Sequence, residues 1–376
     1  MADVNRTNGG ANLLALRSHN TALVLDLLRG AGAEGISRLE LAERTGLTPQ
    51  AVSKITARLR EEGLAVEAGH RASTGGKRRT VLRLVPGAGH AVGVHLDRDA
   101  LRAVLVDLAG TAVAERCAPL DLGAGAEAVV AVVAGEVEAL AKGARGSSTG
   151  APELPAVESR PALLGVGVAL PGPLDHTRGV LHRVTGFPEW DGFPLRDALA
   201  RRLGVPVVVD KDTNAAALGL AVAGERGSFA YLHLGTGLGA GLVIDGAVHR
   251  GARTGAGEFG HQVVQLDGVP CDCGDRGCVE ALCLAAVARG DLAEAARVLG
   301  IAAGNLIALL DIDLVLLGGR TVATAPDAFL RGVAAVLDER ARRAGEEPVP
   351  VRAAPGEVAD GAAQLVLGPL FGRADA

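Results

Sequence analysis

The chain has 376 residues, 48% hydrophobic and 22% charged, with a formal net charge of −5, a balance that suits two or three packed domains and excludes wholesale disorder. Aromatic residues are only 2%, which argues against nucleic-acid binding by base stacking. No stretch reaches the roughly 18 uninterrupted apolar residues of a membrane span, and the apolar run 13–28 is broken by Arg17, His19 and Asp26, so neither a membrane partner nor a signal peptide is expected and the protein reads as cytoplasmic.

The charge is unevenly spread. Residues 1–85 hold 13 Lys and Arg against 8 Asp and Glu, leaving 25 basic and 35 acidic residues for the rest. A basic head on an acidic body points the head at a polyanion. Within the head, Leu23, Leu27 and Leu28 fall at helical spacing over 21–29, and Gly30 ends the run. Ser37 is placed to cap a short helix, 38–44, that buries Leu39 and Ala42. Gly46 supplies a turn, and Thr48-Pro49 is a cap followed by proline at the first position of a helix running to about Glu62. Val52, Ile55 and Leu59 face inward, which turns Gln50, Ser53, Lys54, Ala57 and Arg58 outward. Residues 64–85 read as two short strands around a turn at 70–77, which ends in the basic cluster Gly75-Gly76-Lys77-Arg78-Arg79. Three helices and a basic hairpin describe a winged helix-turn-helix over 1–86. In that geometry the capped helix presents Thr48, Gln50, Ser53, Lys54 and Arg58 to double-stranded DNA, with Gln50, Ser53 and Lys54 nearest base edges. Lys77, Arg78 and Arg79 neutralise phosphates or enter a minor groove.

After a short linker at 86–89 the composition changes. Residues 91–114 contain VLVDLAGTAV and residues 230–249 contain GLVIDGAV. Each reads as strand–turn–strand–turn–strand, so the echo predicts two similar α/β lobes with a cleft between them. The lobes are expected at 87–212 and 213–360, with a loop at 143–161 and a closing helix at 361–376 that packs back on the first lobe.

Cys271-x-Cys273-x4-Cys278, with His261 ten residues upstream, offers three thiolates and an imidazole, the tetrahedral donor set of structural zinc. Cys283 and Cys117 read as ordinary core residues. The glycine-rich run 234–241, with Gly235, Thr236 and Gly237 at its turn, exposes bare amides that could cradle phosphate, and it equally fits a tight hairpin. It lacks the Lys-Ser/Thr ending of a Walker loop. Asp210, Asp212 and Asn214 follow the strand 205–209 at its C-terminal end, where open α/β sheets place ligands. Asp212 there reads either as a general base towards a hydroxyl or as a helix N-cap.

Taken in order, these pieces resemble the ROK family of repressors, open reading frames and sugar kinases, over nearly the whole chain. The carrying residues are Gly257-Glu258-x-Gly260-His261 and Cys271-x-Cys273-Gly274-x-x-Gly277-Cys278-x-Glu280. The resemblance implies a two-lobed actin-like (ribonuclease-H-like) α/β body, with a winged helix-turn-helix added in the repressor branch. It implies zinc on His261, Cys271, Cys273 and Cys278. It also implies a sugar site at Glu258, His261 and Glu280, with Asp212 at the catalytic-base position and Lys211 beside it. The family's first phosphate loop reads Asp-x-Gly-Gly-Thr; here it is His95-Leu96-Asp97-Arg98-Asp99. Acidic side chains thus stand where ATP phosphates would lie, so Asp212 and the 235–241 loop read as a vestigial scaffold and no kinase activity is expected. An asparagine expected before Asp212 is Lys211, suited to pairing with Asp210 or to an acidic or larger ligand, and a Pro-Asn-Leu stretch before Trp190 is Thr185-Gly186-Phe187. The expectation is a sugar-responsive repressor of carbohydrate uptake or catabolism genes, a homodimer or tetramer on an inverted-repeat operator. The alternative is an ATP-dependent sugar kinase that retains a DNA-binding domain.

Overall fold

The computed structural model describes residues 19–71, 79–144, 162–182 and 187–373. Lys77, Arg78, Thr185, Gly186 and most of the 143–161 loop lie outside the described residues.

The head begins with α1 (His19–Ala31), which runs through Gly30 rather than stopping there. Next come β1 (Ile36–Ser37) and α2 (Arg38–Thr45). The Ser37 hydroxyl accepts from the Glu40 amide at 3.3 Å, and the Glu40 carboxylate accepts from the Ser37 amide at 2.8 Å, a reciprocal capping box. Gly46 closes α2 with φ at 69°, a left-handed conformation that costs glycine nothing. That turn aims α3 (Pro49–Glu61), capped by Thr48, whose hydroxyl accepts from the Ala51 amide at 3.3 Å. Strands β2 (Ala65–Arg71) and β3 (Arg79–Leu84) complete a sheet ordered β1-β3-β2. One expectation fails: Leu39 is exposed, and Leu41 beside Ala42 is the buried residue. Two positions lie about 200° apart on a helix, and the inward face is chosen by α1 and α3, which the local pattern does not reveal.

The first lobe follows as β4 (Gly89–Leu96), β5 (Ala100–Asp107), β6 (Ala112–Pro119), α4 (Ala126–Ala144), β7 (Ala162–Leu170), β8 (Leu174–Asp175), β9 (Val180–Leu181), α5 (Leu195–Leu203) and β10 (Val207–Lys211). Its five-stranded sheet is ordered β10-β7-β4-β5-β6, antiparallel across β4, β5 and β6 and parallel across β4, β7 and β10. Helices α4 and α5 cover one face around Val94, Val133, Val166 and Trp190.

The second lobe holds α6 (Asp212–Ala223), β11 (Phe229–Leu234), β12 (Leu238–Ile244), β13 (Ala247–Val248), α7 (Val279–Ala288), α8 (Leu292–Leu310), β14 (Leu314–Gly318), α9 (Arg320–Thr324), α10 (Pro326–Ala344) and β15 (Val351–Ala353). Its sheet repeats the plan in the order β13-β12-β11-β14-β15. Helix α8 is long and apolar enough by composition to cross a membrane, yet half of it is buried, and it packs against α7 and α10 as a core helix.

Helix α11 (Val358–Leu367) starts three residues before the expected 361 and ends in a 3-10 turn, Gly368–Phe371. It lies on β4 and β7 and against α6. The approach is close: a Cβ on Gly93 would meet the Ala359 carbonyl, and one on Gly167 the Ala362 carbonyl. Side-chain-free backbone at these two strand positions lets the helix seat directly on the sheet.

Candidate functional site

Between the two sheets lies a cleft of about 90 Å³, lined by the β4–β5 turn, the β10–α6 junction, the β11–β12 turn, the 257–261 segment and the start of α7. Lys211, Asp212, Glu258, His261 and Glu280 all line it. Strand β10 ends at Lys211, which is the N-cap, and Asp212 is the first residue of α6. The Asp212 Oδ1 accepts from the Thr213 amide at 2.7 Å, so the helix terminus that positions this carboxylate also bears it on the cleft wall.

Lys211 does not pair with Asp210. Its side chain is 3% exposed, and Nζ donates to the Ala256 carbonyl at 2.5 Å and to Glu258 Oε1 at 3.0 Å. Successive strand residues point to opposite faces, so Asp210 turns away. It accepts from Arg250 Nε at 2.7 Å and Asn214 Nδ2 at 2.9 Å instead. Glu258 therefore presents an ammonium–carboxylate pair to the cleft. Glu280 Oε2 accepts from the Leu238 amide at 2.7 Å.

The glycine-rich run forms a tight hairpin. The Gly235 amide donates to the Gly237 carbonyl at 2.9 Å, and a Cβ at Gly237 would stand 2.9 Å from Glu280 Oε2. From the opposite lobe, Asp97 Oδ1 accepts from the Thr236 hydroxyl at 2.7 Å and from the Arg98 amide at 2.7 Å. Arg320, at the start of α9, lies 2.9 Å from Asp99 and 3.7 Å from Asp97. Burial would raise the Asp97 carboxyl, but the Thr236 hydroxyl, the Arg98 amide and the Arg320 guanidinium outweigh it and hold it below the ordinary carboxylate value. Beneath this contact, burial pushes the His95 imidazole down to about 4, against the opposing pull of Asp212. Tyr231 hydrogen-bonds His233 Nδ1 at 2.8 Å, and the His233 ring stands edge-on to His95 with centroids 6.1 Å apart. Arg320, Arg250 and His233 escaped the sequence reasoning. Arg320 is 221 residues from Asp99, and no local spacing signals such a pair.

His261, Cys271, Cys273 and Cys278 converge, with their candidate ligand atoms all within 4.8 Å of one another, and could hold a metal ion. His261 Nδ1 lies 3.6 Å from Cys271 Sγ, and Cys273 Sγ lies 3.7 Å from Cys278 Sγ. The same His261 ring lines the cleft, so cluster and cleft share one imidazole. Cys283 is buried as expected, but Cys117 is exposed, because β6 is an edge strand and, among the described residues, no layer covers its outer face.

On the head, Thr48, Gln50, Ser53, Lys54 and Arg58 are exposed together along α3, with Arg58 3.3 Å from Glu62. Arg79 is exposed at the start of β3.

A winged helix-turn-helix seated on a two-lobed actin-like α/β body is the class that this fold and cleft define. Residues 155–290 match the model of the ROK family, and residues 24–65 match that of a winged helix-turn-helix DNA-binding domain. The xylose repressor of Caldicellulosiruptor bescii is 32% identical over 248 residues, covering 65% of this chain and 59% of that relative; the chain thus spans less than two thirds of its length. Among solved structures, the ROK hexokinase of Thermus thermophilus is 30% identical with a TM-score of 0.56, covering 73% of this chain and 96% of that one. A ROK transcriptional regulator described as a homologue of the Escherichia coli MLC protein shares the fold at a TM-score of 0.72, with 21% identity over 95% of this chain and 98% of that one. The chain belongs to the ROK family.

Proposed function

We propose that the protein is a sugar-responsive transcriptional repressor acting in the cytoplasm, with its DNA-binding head at 1–86 and its lobes at 87–212 and 213–360. The observation that carries this reading is the Asp97–Thr236 contact: a carboxylate occupies the mouth of the cleft where a kinase needs bare backbone for phosphate. The carboxylates of Asp212 and Glu280, acceptors for sugar hydroxyls, remain on the cleft wall behind it. The relative named a xylose repressor supports the same direction. Two chains would pair their winged helices on an inverted repeat, with Gln50, Ser53 and Lys54 reading bases. Lys77, Arg78 and Arg79 supply phosphate contacts in this reading.

The metal is zinc. Tetrahedral zinc with bonds of about 2.3 Å to sulfur and 2.0–2.1 Å to nitrogen places sulfurs about 3.8 Å apart and sulfur about 3.6 Å from nitrogen. The observed 3.7 and 3.6 Å fit that geometry. Bound there, the ion would stiffen the 262–278 loop and fix the His261 tautomer towards the cleft. A gel shift on DNA upstream of the protein's own gene tests the reading, with Arg78 and Arg79 changed to Ala and a panel of pentoses and hexoses added. Absence of operator binding overturns it.

The kinase alternative draws on Asp212 facing the cleft and on the hexokinase relative. It requires sugar-dependent ATP consumption that disappears in Asp212→Asn. No ATP binding by calorimetry ends it.

A further inference from the structure

The head is not joined to the body by its linker alone. One hydrophobic cluster runs from Val24, Leu25 and Leu28 of α1 to Leu367, Leu370 and Phe371 at the end of the chain. At its edge the Arg29 guanidinium stacks 4.2 Å over the Phe371 ring and pairs with Asp26 at 3.5 Å. Arg373 then reaches in two directions. One guanidinium nitrogen lies 3.2 and 3.4 Å from the Asp26 carboxylate oxygens on α1, and another donates to the Val222 carbonyl of α6 at 3.4 Å. Val222 stands in the last turn of the helix whose first residue, Asp212, lines the cleft. The negative end of the α6 dipole and the Asp26 carboxylate thus hold the same cation. Beside it is a solvent-open pocket of about 480 Å³, bordered by Asp26 of α1, Gly219 and Val222 of α6, Gln364 and Arg373.

We infer that Arg373 is a positioning residue that carries displacement of α6, and hence of the cleft, into α1 and the DNA-reading head. Its purpose rests on the repressor reading, but its operation does not need DNA. Arg320→Ala combined with Thr236→Val releases the Asp97–Thr236, Arg320–Asp97 and Arg320–Asp99 contacts between the lobes at the cleft mouth and serves as the perturbation. Hydrogen exchange is followed in the full-length chain without DNA. In the otherwise native chain, release raises exchange in α6 and, at least about fivefold, in α1. With Arg373→Ala the rise remains in α6 and no longer reaches α1, each chain being compared with its own unreleased form. Asp26→Asn, which removes the same contact from the head side, gives the same block, and Arg373→Lys restores part of the transmission. An α1 response that is equal with and without Arg373, or absent from the native background, overturns the inference. Operator binding is assayed separately, so a chain that binds no DNA sinks the repressor reading while the exchange result stands.

Discussion

Removing either side of the Asp97–Thr236 contact should show how strongly the two lobes are held together at the cleft mouth. The 2.7 Å bond to a carboxylate belongs to the charge-assisted class, worth about 1.5–3 kcal/mol. The Arg320–Asp97 pair adds less than about 1 kcal/mol, because Arg320 is 46% exposed and the ions stand 3.7 Å apart. The Arg98 amide bond is local to the turn and holds no lobe to the other. A double-mutant cycle of Asp97→Ala and Thr236→Val should therefore return a coupling of about 2 kcal/mol. Trp190, the chain's one tryptophan, is fully buried in the first lobe and hydrogen-bonded to the Leu122 carbonyl, so its fluorescence reports urea unfolding of that lobe. With a slope of about 3 kcal/mol/M, each single change moves the midpoint down by about 0.7 M. Because Asp97 is held below its ordinary value of 3.8, the coupling is complete above that value and fades as the pH falls through the lower, folded one. Additivity of the two changes to within about 0.5 kcal/mol at neutral pH would refute the argument.

His95, pushed down to about 4 from an ordinary 6.5, is neutral in the fold. Its contribution is whole above 6.5 and declines towards pH 4, by at most about 3 kcal/mol; His95→Gln should flatten that part of the pH–stability curve, and an unchanged curve removes His95 from the account. On the zinc reading proposed above, elemental mass spectrometry should find about one zinc ion per chain and less in Cys273→Ser; full retention takes Cys273 out of the proposed donor set. Lys54→Ala should reduce the logarithmic salt slope of operator binding by about 0.9 per chain. Gln50→Ala should instead relax preference at one base pair by about 1–3 kcal/mol, measured on a set of single-substitution operators.

Much of the head was legible because its signals act locally. Ser37, Gly46, and Thr48 with Pro49 each satisfy or redirect backbone within three or four residues, so residue type and spacing suffice. The cysteine cluster was legible for a related reason, since its donors span 18 positions and glycines bend the chain between them. The repeat of strands in the two halves survived as a hydrophobic pattern, and each half folds into its own five-stranded sheet.

Other features were decided by elements far apart in sequence. Lys211 was readable as a cation beside two carboxylates, but the pleat of β10 and the placement of the 257–261 segment chose Glu258, 47 residues away, over its neighbour Asp210. Leu41 rather than Leu39 entered the core because α1 and α3 close on that side of α2. Cys117 stayed outside because β6 ended as an edge. Asp97 finds Thr236 across 139 residues, and Arg373 finds Asp26 across 347. Caps, turns and ligand spacing were set by the sequence alone, since the chain segment carries both partners. Which charge meets which across the cleft and at the head was set by tertiary packing, since only the docking of sheets and helices brings those partners within a hydrogen bond of each other.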